Sequence, residues 1–234
     1  MLKRYSRDGM SKIWSEENKF FNWLLVEIAV LKARRQIGEL IYEVPLGLEK
    51  RINIEPEKIN RIEKEITKHD VVAFLMHISP QFPEELRPWL HRGLTSYDIG
   101  DTALSLQLRE SVGILVLTLT KLMGVIKTVA LEHKYTPEIG RTHGIHAEPI
   151  TFGVKLANWN DELWRHLDRL RRLSVSVSVG KISGAVGMYT INPKIEELVC
   201  EELGFKPVIA TQIISRDIVA EYMSTLGIVA ATIG

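Results

Sequence analysis

The chain has 234 residues, 45% of them hydrophobic, with 30 basic and 29 acidic side chains and a formal net charge of +1. This is the composition of an ordinary soluble globular protein of one or two domains, long enough to bury its own core. Near-neutrality argues against a general nucleic-acid binder, which carries a strong basic excess. The lone cysteine, Cys200, rules out an intrachain disulfide and fits a reducing compartment.

The N-terminus, Met1 to Asp8, is charged and lacks the apolar run of a secretory signal. Ser11 to Gly38 reads as a helix, with Glu16 and Glu17 near its start and Leu24, Leu25, Ile28 and Leu31 at helical spacing. Pro56 to Lys68 opens on a first-turn proline and carries Ile59, Ile62 and Ile66 on one face. A short apolar segment, Val71 to Ile78, stops before Pro80. In the loop His91 to Asp98, Thr95 and Asp98 have capping-box spacing, with Asp in place of the usual Glu or Gln.

From Asp98 to His133 no proline interrupts the pattern, and the spacing predicts one long helix, about 50 Å at ~1.5 Å per residue, covered on several sides. Its apolar middle, Val112 to Leu131, includes Lys121 and Lys127, which argues for a bundle helix rather than a membrane span. Pro137 to Pro149 reads as non-helical and Ile150 to Val179 as a second long helix. The alternation Ser174 to Val179 resembles a strand, but its place at the end of a strong helix favours helix. Gly180 to Gly187 is a glycine-rich loop, Pro193 to Leu203 a short helix, and Ser215 to Ile233 a last helix that is still apolar where the chain stops, as in a truncated bundle. The expected fold is all-α and free of strands.

Histidine suits proton transfer near neutral pH, and loops on a helical scaffold are where reactive groups sit. His69, His91 and His143 lie in loops or at element ends among polar neighbours and are the candidates. His77 reads as half-buried packing, and His133 and His166, in charged helical segments, as solvated. His143 and His146 offer too few ligands for a closed zinc site, so no metal is expected. The glycine loop has the wrong lysine position for a phosphate-binding Walker motif. It reads either as a turn needing positive φ or as N–H groups lining a carboxylate pocket.

Taken in order, Arg4-Tyr5-Ser6, Lys68-His69-Asp70, His91-x-Gly93-Leu94-Thr95-Ser96-x-Asp98, Gly140-Arg141-Thr142-His143-Gly144-x-His146-Ala147-Glu148-Pro149, Ser183-Gly184-Ala185-Val186-Gly187, and Gln212 with Arg216-Asp217 form a series. The series resembles the adenylosuccinate lyase family, within the fumarase/aspartase superfamily, over essentially the whole chain. The resemblance implies a β-elimination that releases fumarate from adenylosuccinate, giving AMP, and from the succinylated aminoimidazole carboxamide ribotide of purine synthesis. It implies a small N-terminal helical domain (1–97), followed by the first, incomplete part of a long-helix bundle (98–234). It also implies no metal or organic cofactor, a homotetramer with shared active sites, no nucleic-acid or membrane partner, and a cytoplasmic location.

By the same resemblance His143 is the general acid, with His69 supporting it or holding substrate. Thr95, Ser96 and Gln212 meet a succinyl carboxylate, and Arg4 and Tyr5 the nucleotide. Lys68, Asp70, His91, Thr142 and Arg216 complete the polar wall. The segment around Ser215 departs from the family pattern, and the family's serine base is expected beyond residue 234, so the isolated chain is expected to be incomplete. The alternatives are another superfamily activity, such as a cycloisomerase or an argininosuccinate-type lyase, and a non-catalytic helical assembly module.

Overall fold

The structure, a computed structural model, describes residues 3–233. Its helices are α1 (Asp8–Ile13), α2 (Glu16–Gln36), α3 (Pro56–Ile62), α4 (Asp70–Ile78), α5 (Ser96–Glu132), α6 (Phe152–Ser176), α7 (Lys194–Leu203) and α8 (Asp217–Ile233). The all-α expectation holds in the main. The expectation of no strands does not: β1 (Pro137–Thr142) and β2 (Ile145–Thr151) form an antiparallel hairpin, and the two-residue strands β3 (Val179–Gly180) and β4 (Lys206–Pro207) pair in parallel.

Two compact units account for the chain. One comprises residues 1–110 and 176–218, the other 111–175 and 219–234. The sequence boundary at 97/98 falls in the first turn of α5, which runs on from the first unit into the second.

In the first unit α2 is buried along most of its length. Phe20, Trp23, Leu24, Ile28 and Leu31 meet Phe74 of α4 and Ile99 of α5 within one core. Phe20, Trp23 and Phe74 form an aromatic triad, with Phe20 stacked on Phe74 at 5.9 Å and Trp23 edge-on to both at 5.3 and 5.5 Å. Offset and edge-to-face geometry of this kind adds to plain area burial. The expected single helix from Ser11 is broken at Trp14–Ser15. The Ser15 hydroxyl accepts the Asn18 N–H at 3.1 Å, capping α2 as a separate helix.

In the second unit α6 buries Leu163, His166, Leu167, Leu170 and Leu173. Their spacing is a single helical stripe, so His166 is buried rather than solvated, the charged neighbours lying off that stripe. Its Nε2 lies 2.6 Å from the Thr232 hydroxyl, which in turn donates to Glu162 at 2.8 Å. Helix α5 buries Val112, Leu119 and Met123 but leaves Leu117, Val125 and Leu131 exposed. The expected cover on several sides is therefore absent among the described residues. By length and composition alone α5 is also long and apolar enough to cross a membrane. Its start, however, carries Asp98, Asp101, Ser105 and Gln107 into the packed interior of the first unit, as suits a bundle helix.

Candidate active site

Strained backbone marks the candidate residues. Among the described residues four non-glycines have positive φ: Lys68 (55°), His91 (55°), His143 (52°) and Tyr189 (54°). Such conformations cost free energy and persist where surrounding structure holds them, often at functional sites. The first three lie in, or next to, the histidine motifs singled out from the sequence.

Lys68 ends a π-helical turn, Glu63–Thr67, and its N–H closes on Glu63 O at 2.8 Å. This departs from the single helix expected up to Lys68. The left-handed Lys68 then reverses the chain, so that extended His69 becomes the N-cap position of α4. The Lys68 ammonium is hydrogen-bonded to the carbonyl of Lys64, back along its own turn. His69 Nε2 lies 3.2 Å from Ser96 Oγ, and its Nδ1 faces Asp70 Oδ1 at 3.4 Å. Ser96 is carried there by the start of α5. The expected cap pairing is present in part: Asp98 Oδ2 accepts the Thr95 N–H at 2.8 Å. His69, Asp70 and Ser96 line a cavity of about 260 Å³ together with Trp23, Tyr97 and Gly100. Trp23 belongs to the aromatic triad, so the core itself supplies one wall.

Arg216 is drawn to the same side of α5. Its guanidinium pairs with Asp101 Oδ1 at 2.9 Å and lies 5.9 Å from the Tyr97 ring centre, while Asp101 Oδ2 accepts the Ile214 N–H at 2.7 Å. The cavity and the segment leading to α8 are thus tied through two turns of one helix. Gln212 sits exposed in that segment. Gly187 (φ 77°) lets it pass, since a Cβ there would stand 2.1 Å from Ala210 O. Arg4 and Tyr5 occupy a short 3-10 turn, both exposed, with the guanidinium 4.7 Å over the Tyr5 ring. A larger cleft of about 460 Å³, bordered by Lys12, Glu17, Lys50 and Glu110, contains none of the candidates.

In the second unit Thr142 and His143 stand at the tip of the β1–β2 hairpin. Thr142 pairs with Ile145, leaving the two-residue turn His143-Gly144 with φ of 52° and 74°. Two positive φ angles in a two-residue loop are the geometry that suits the strand twist in a tight hairpin. Gly140 marks the register shift, and a Cβ there would lie 2.5 Å from Glu148 O. At the base, Phe152 and Gly153 donate to Thr136 O and His133 O at 2.9 and 3.1 Å. His143 itself is exposed.

Two N–H groups of the glycine loop are bonded within the chain. Ile182 N–H donates to Glu196 at 2.7 Å and Gly184 N–H to Asp98 at 3.1 Å, so internal carboxylates fill the two positions. Tyr189 Oη also donates to Glu196, at 2.7 Å, and this bond, with burial, pushes the phenol up to about 12. Sequence reasoning missed Glu27, Arg34, Asp101 and Lys181, which brace the candidate loops from buried positions. Among the described residues no cluster of three or more His, Cys, Asp or Glu side chains is arranged to hold a metal ion.

The chain belongs to the lyase family, whose profile matches residues 5–234. Among curated proteins it is similar to the adenylosuccinate lyase of Bacillus subtilis (strain 168), 47% identical over 235 residues, covering 100% of this chain and 54% of that protein. Those of Aquifex aeolicus (strain VF5) and Synechocystis sp. are 45% and 44% identical, again over 100% of this chain and 54% of theirs. The chain therefore spans about half the length of the curated relatives it matches. Among solved structures it is similar to a fumarate lyase from Mesorhizobium sp. BNC1 (TM-score 0.85, 27% identity, 97% of this chain and 56% of that one). A 3-carboxy-cis,cis-muconate lactonizing enzyme from Pseudomonas putida matches with TM-score 0.81 and 27% identity, over 97% of this chain and 54% of its own.

Proposed function

We propose that this chain, within a protein of its relatives' full length, cleaves adenylosuccinate to AMP and fumarate, and the succinylated aminoimidazole carboxamide ribotide in the same way. The observation that carries this reading is 44–47% identity to three curated adenylosuccinate lyases across the whole of the chain. In the reaction a base takes the proton from the succinyl Cβ, the C–N bond breaks, fumarate leaves with the new double bond, and an acid returns a proton to the departing nitrogen.

His143 is the acid. Its place at a hairpin tip suits a group that reaches toward a bound substrate. His69, Ser96, Asp70 and Arg216 form one polar wall, with Thr95 beside Ser96 and Gln212 supplying further donors to a succinyl carboxylate. Arg4 and Tyr5 meet the nucleotide, and Lys68, His91 and Thr142 complete the enclosure. Residues 1–97 act as the N-terminal helical domain and 98–234 as the first part of the bundle. The exposed apolar residues of α5 are covered in a cytoplasmic homotetramer with shared sites, and no cofactor takes part.

The test is a full-length enzyme assayed for fumarate and AMP. Cleavage of adenylosuccinate, reduced by about 10²–10⁴-fold in His143→Ala, is the expected result. An inactive enzyme, or one that turns over only a carboxymuconate, would overturn it.

A further inference from the structure

Glu27 stands on the buried face of α2, 1% exposed, among Trp23, Leu24, Val26, Ile28 and Leu31. A carboxylate so placed needs partners. Both its oxygens are spent on one residue: Oε2 accepts the His91 backbone N–H at 3.0 Å, and Oε1 lies 2.8 Å from His91 Nδ1. Seven residues further along the same helix, Arg34 donates to the Arg92 carbonyl at 2.5 Å, and Thr190 donates to the Gly93 carbonyl. Helix α2 thus grips His91 and Arg92 from two positions about two turns apart. The grip holds His91 in its left-handed conformation, φ 55°.

The chemical consequence lies in the ring. A carboxylate only accepts, so Nδ1 carries the proton toward Glu27. In the neutral imidazole Nε2 is then the nitrogen with the free lone pair, and among the described residues it has no hydrogen-bond partner. We propose that Glu27 is a positioning residue that fixes the tautomer of His91, leaving Nε2 as a hydrogen-bond acceptor in the polar wall assigned to it under the proposed function. This rests on the lyase reading for its catalytic consequence, though not for the tautomer itself.

Glu27→Gln separates the two. The glutamine keeps shape and hydrogen bonding, because its oxygen accepts the His91 backbone N–H while its amide donates to Nδ1. The proton must then move to Nε2. Nitrogen NMR of the 234-residue chain labelled at histidine, with His91→Asn for assignment, reads the change directly. We expect Nδ1–H in the native chain and Nε2–H in Glu27→Gln; the same tautomer in both would overturn the proposal.

In the full-length enzyme Glu27→Gln should lower kcat about 10–100-fold, the range seen when the carboxylate behind a metal-bound histidine is lost, with KM and thermal midpoint little changed. Native turnover in Glu27→Gln would overturn the catalytic role while leaving the lyase reading intact. An inactive parent enzyme would sink the lyase reading and, with it, the catalytic role, while the tautomer remains decided by NMR. A fallen melting temperature, with kcat per folded molecule unchanged, would show Glu27 to be structural only and overturn the proposal.

Discussion

Asp98 and Lys181 form an ion pair at 2.5 Å with neither side chain exposed. Asp98 is a hub: it also accepts from the Thr95 and Gly184 N–H groups, while Lys181 Nζ reaches the Gly184 carbonyl as well. The start of α5, with Thr95 and Ser96, is thereby locked to the glycine loop. Lys181→Met should leave a buried carboxylate without its cation and cost about 3–5 kcal/mol in urea unfolding. The double variant Asp98→Asn with Lys181→Met should recover much of that loss. Equal losses in the single and double variants would show that the pairing itself contributes little.

Two glycine substitutions should act in opposite directions. At Gly187 an added Cβ would meet Ala210 O at 2.1 Å in a residue with φ of 77°, so Gly187→Ala should destabilise by at least about 1–3 kcal/mol and disturb the Gln212 segment. Gly113, within α5, has nothing within 4 Å of such a Cβ. Gly113→Ala should stabilise by about 0.5–1 kcal/mol. Thermal midpoints of the two variants check both directions.

His166 should make the second unit acid-sensitive. Burial, then the nearby Arg169, lowers its pKa below the ordinary 6.5, against the raising effect of Glu162. As pH falls through about 6.5 the unfolded chain takes up the proton first. Stability is therefore whole above that pH and is lost on acidification toward the lower folded value. Melting temperatures measured from pH 7.5 to 5 should fall more steeply in the native chain than in His166→Gln. Parallel slopes would show that His166 does not carry the effect.

Cys200 should be inert. It is 1% exposed in α7, and burial, aided by Glu196, pushes its thiol up to about 12. Since the thiolate is the reactive form, a thiol reagent should find no reactive group in the native chain at pH 8 and one in urea. Rapid native labelling would show that α7 opens readily.

The motifs were legible because they are dense in residues with few interchangeable substitutes: His69-Asp70, Thr95-Ser96 and the turn His143-Gly144. The long helices were legible from their apolar stripes. The hairpin was not. Both of its faces are largely exposed, so no alternation of apolar and polar residues marks β1 or β2. Its signals were Gly140 and the His143-Gly144 turn, which are backbone requirements rather than a pattern of burial. The braces were hidden for the opposite reason. Glu27, Asp101 and Lys181 are charges on otherwise ordinary helices and loops, and only the partner that each meets in space shows it to be interior. His166 was misread because a run of charges nearby outweighed its own place on the Leu163–Leu170 stripe.

The two-residue turn at His143-Gly144 makes the hairpin's reach a quantised length. Adding one residue to each strand moves His143 outward by about 3.4 Å but reverses the sheet face on which the turn opens. Two residues per strand restore the face at a displacement of about 7 Å. An unpaired insertion must become a bulge or abolish the turn. Descendants of this chain can therefore change the length of β1 and β2 only in discrete, paired steps.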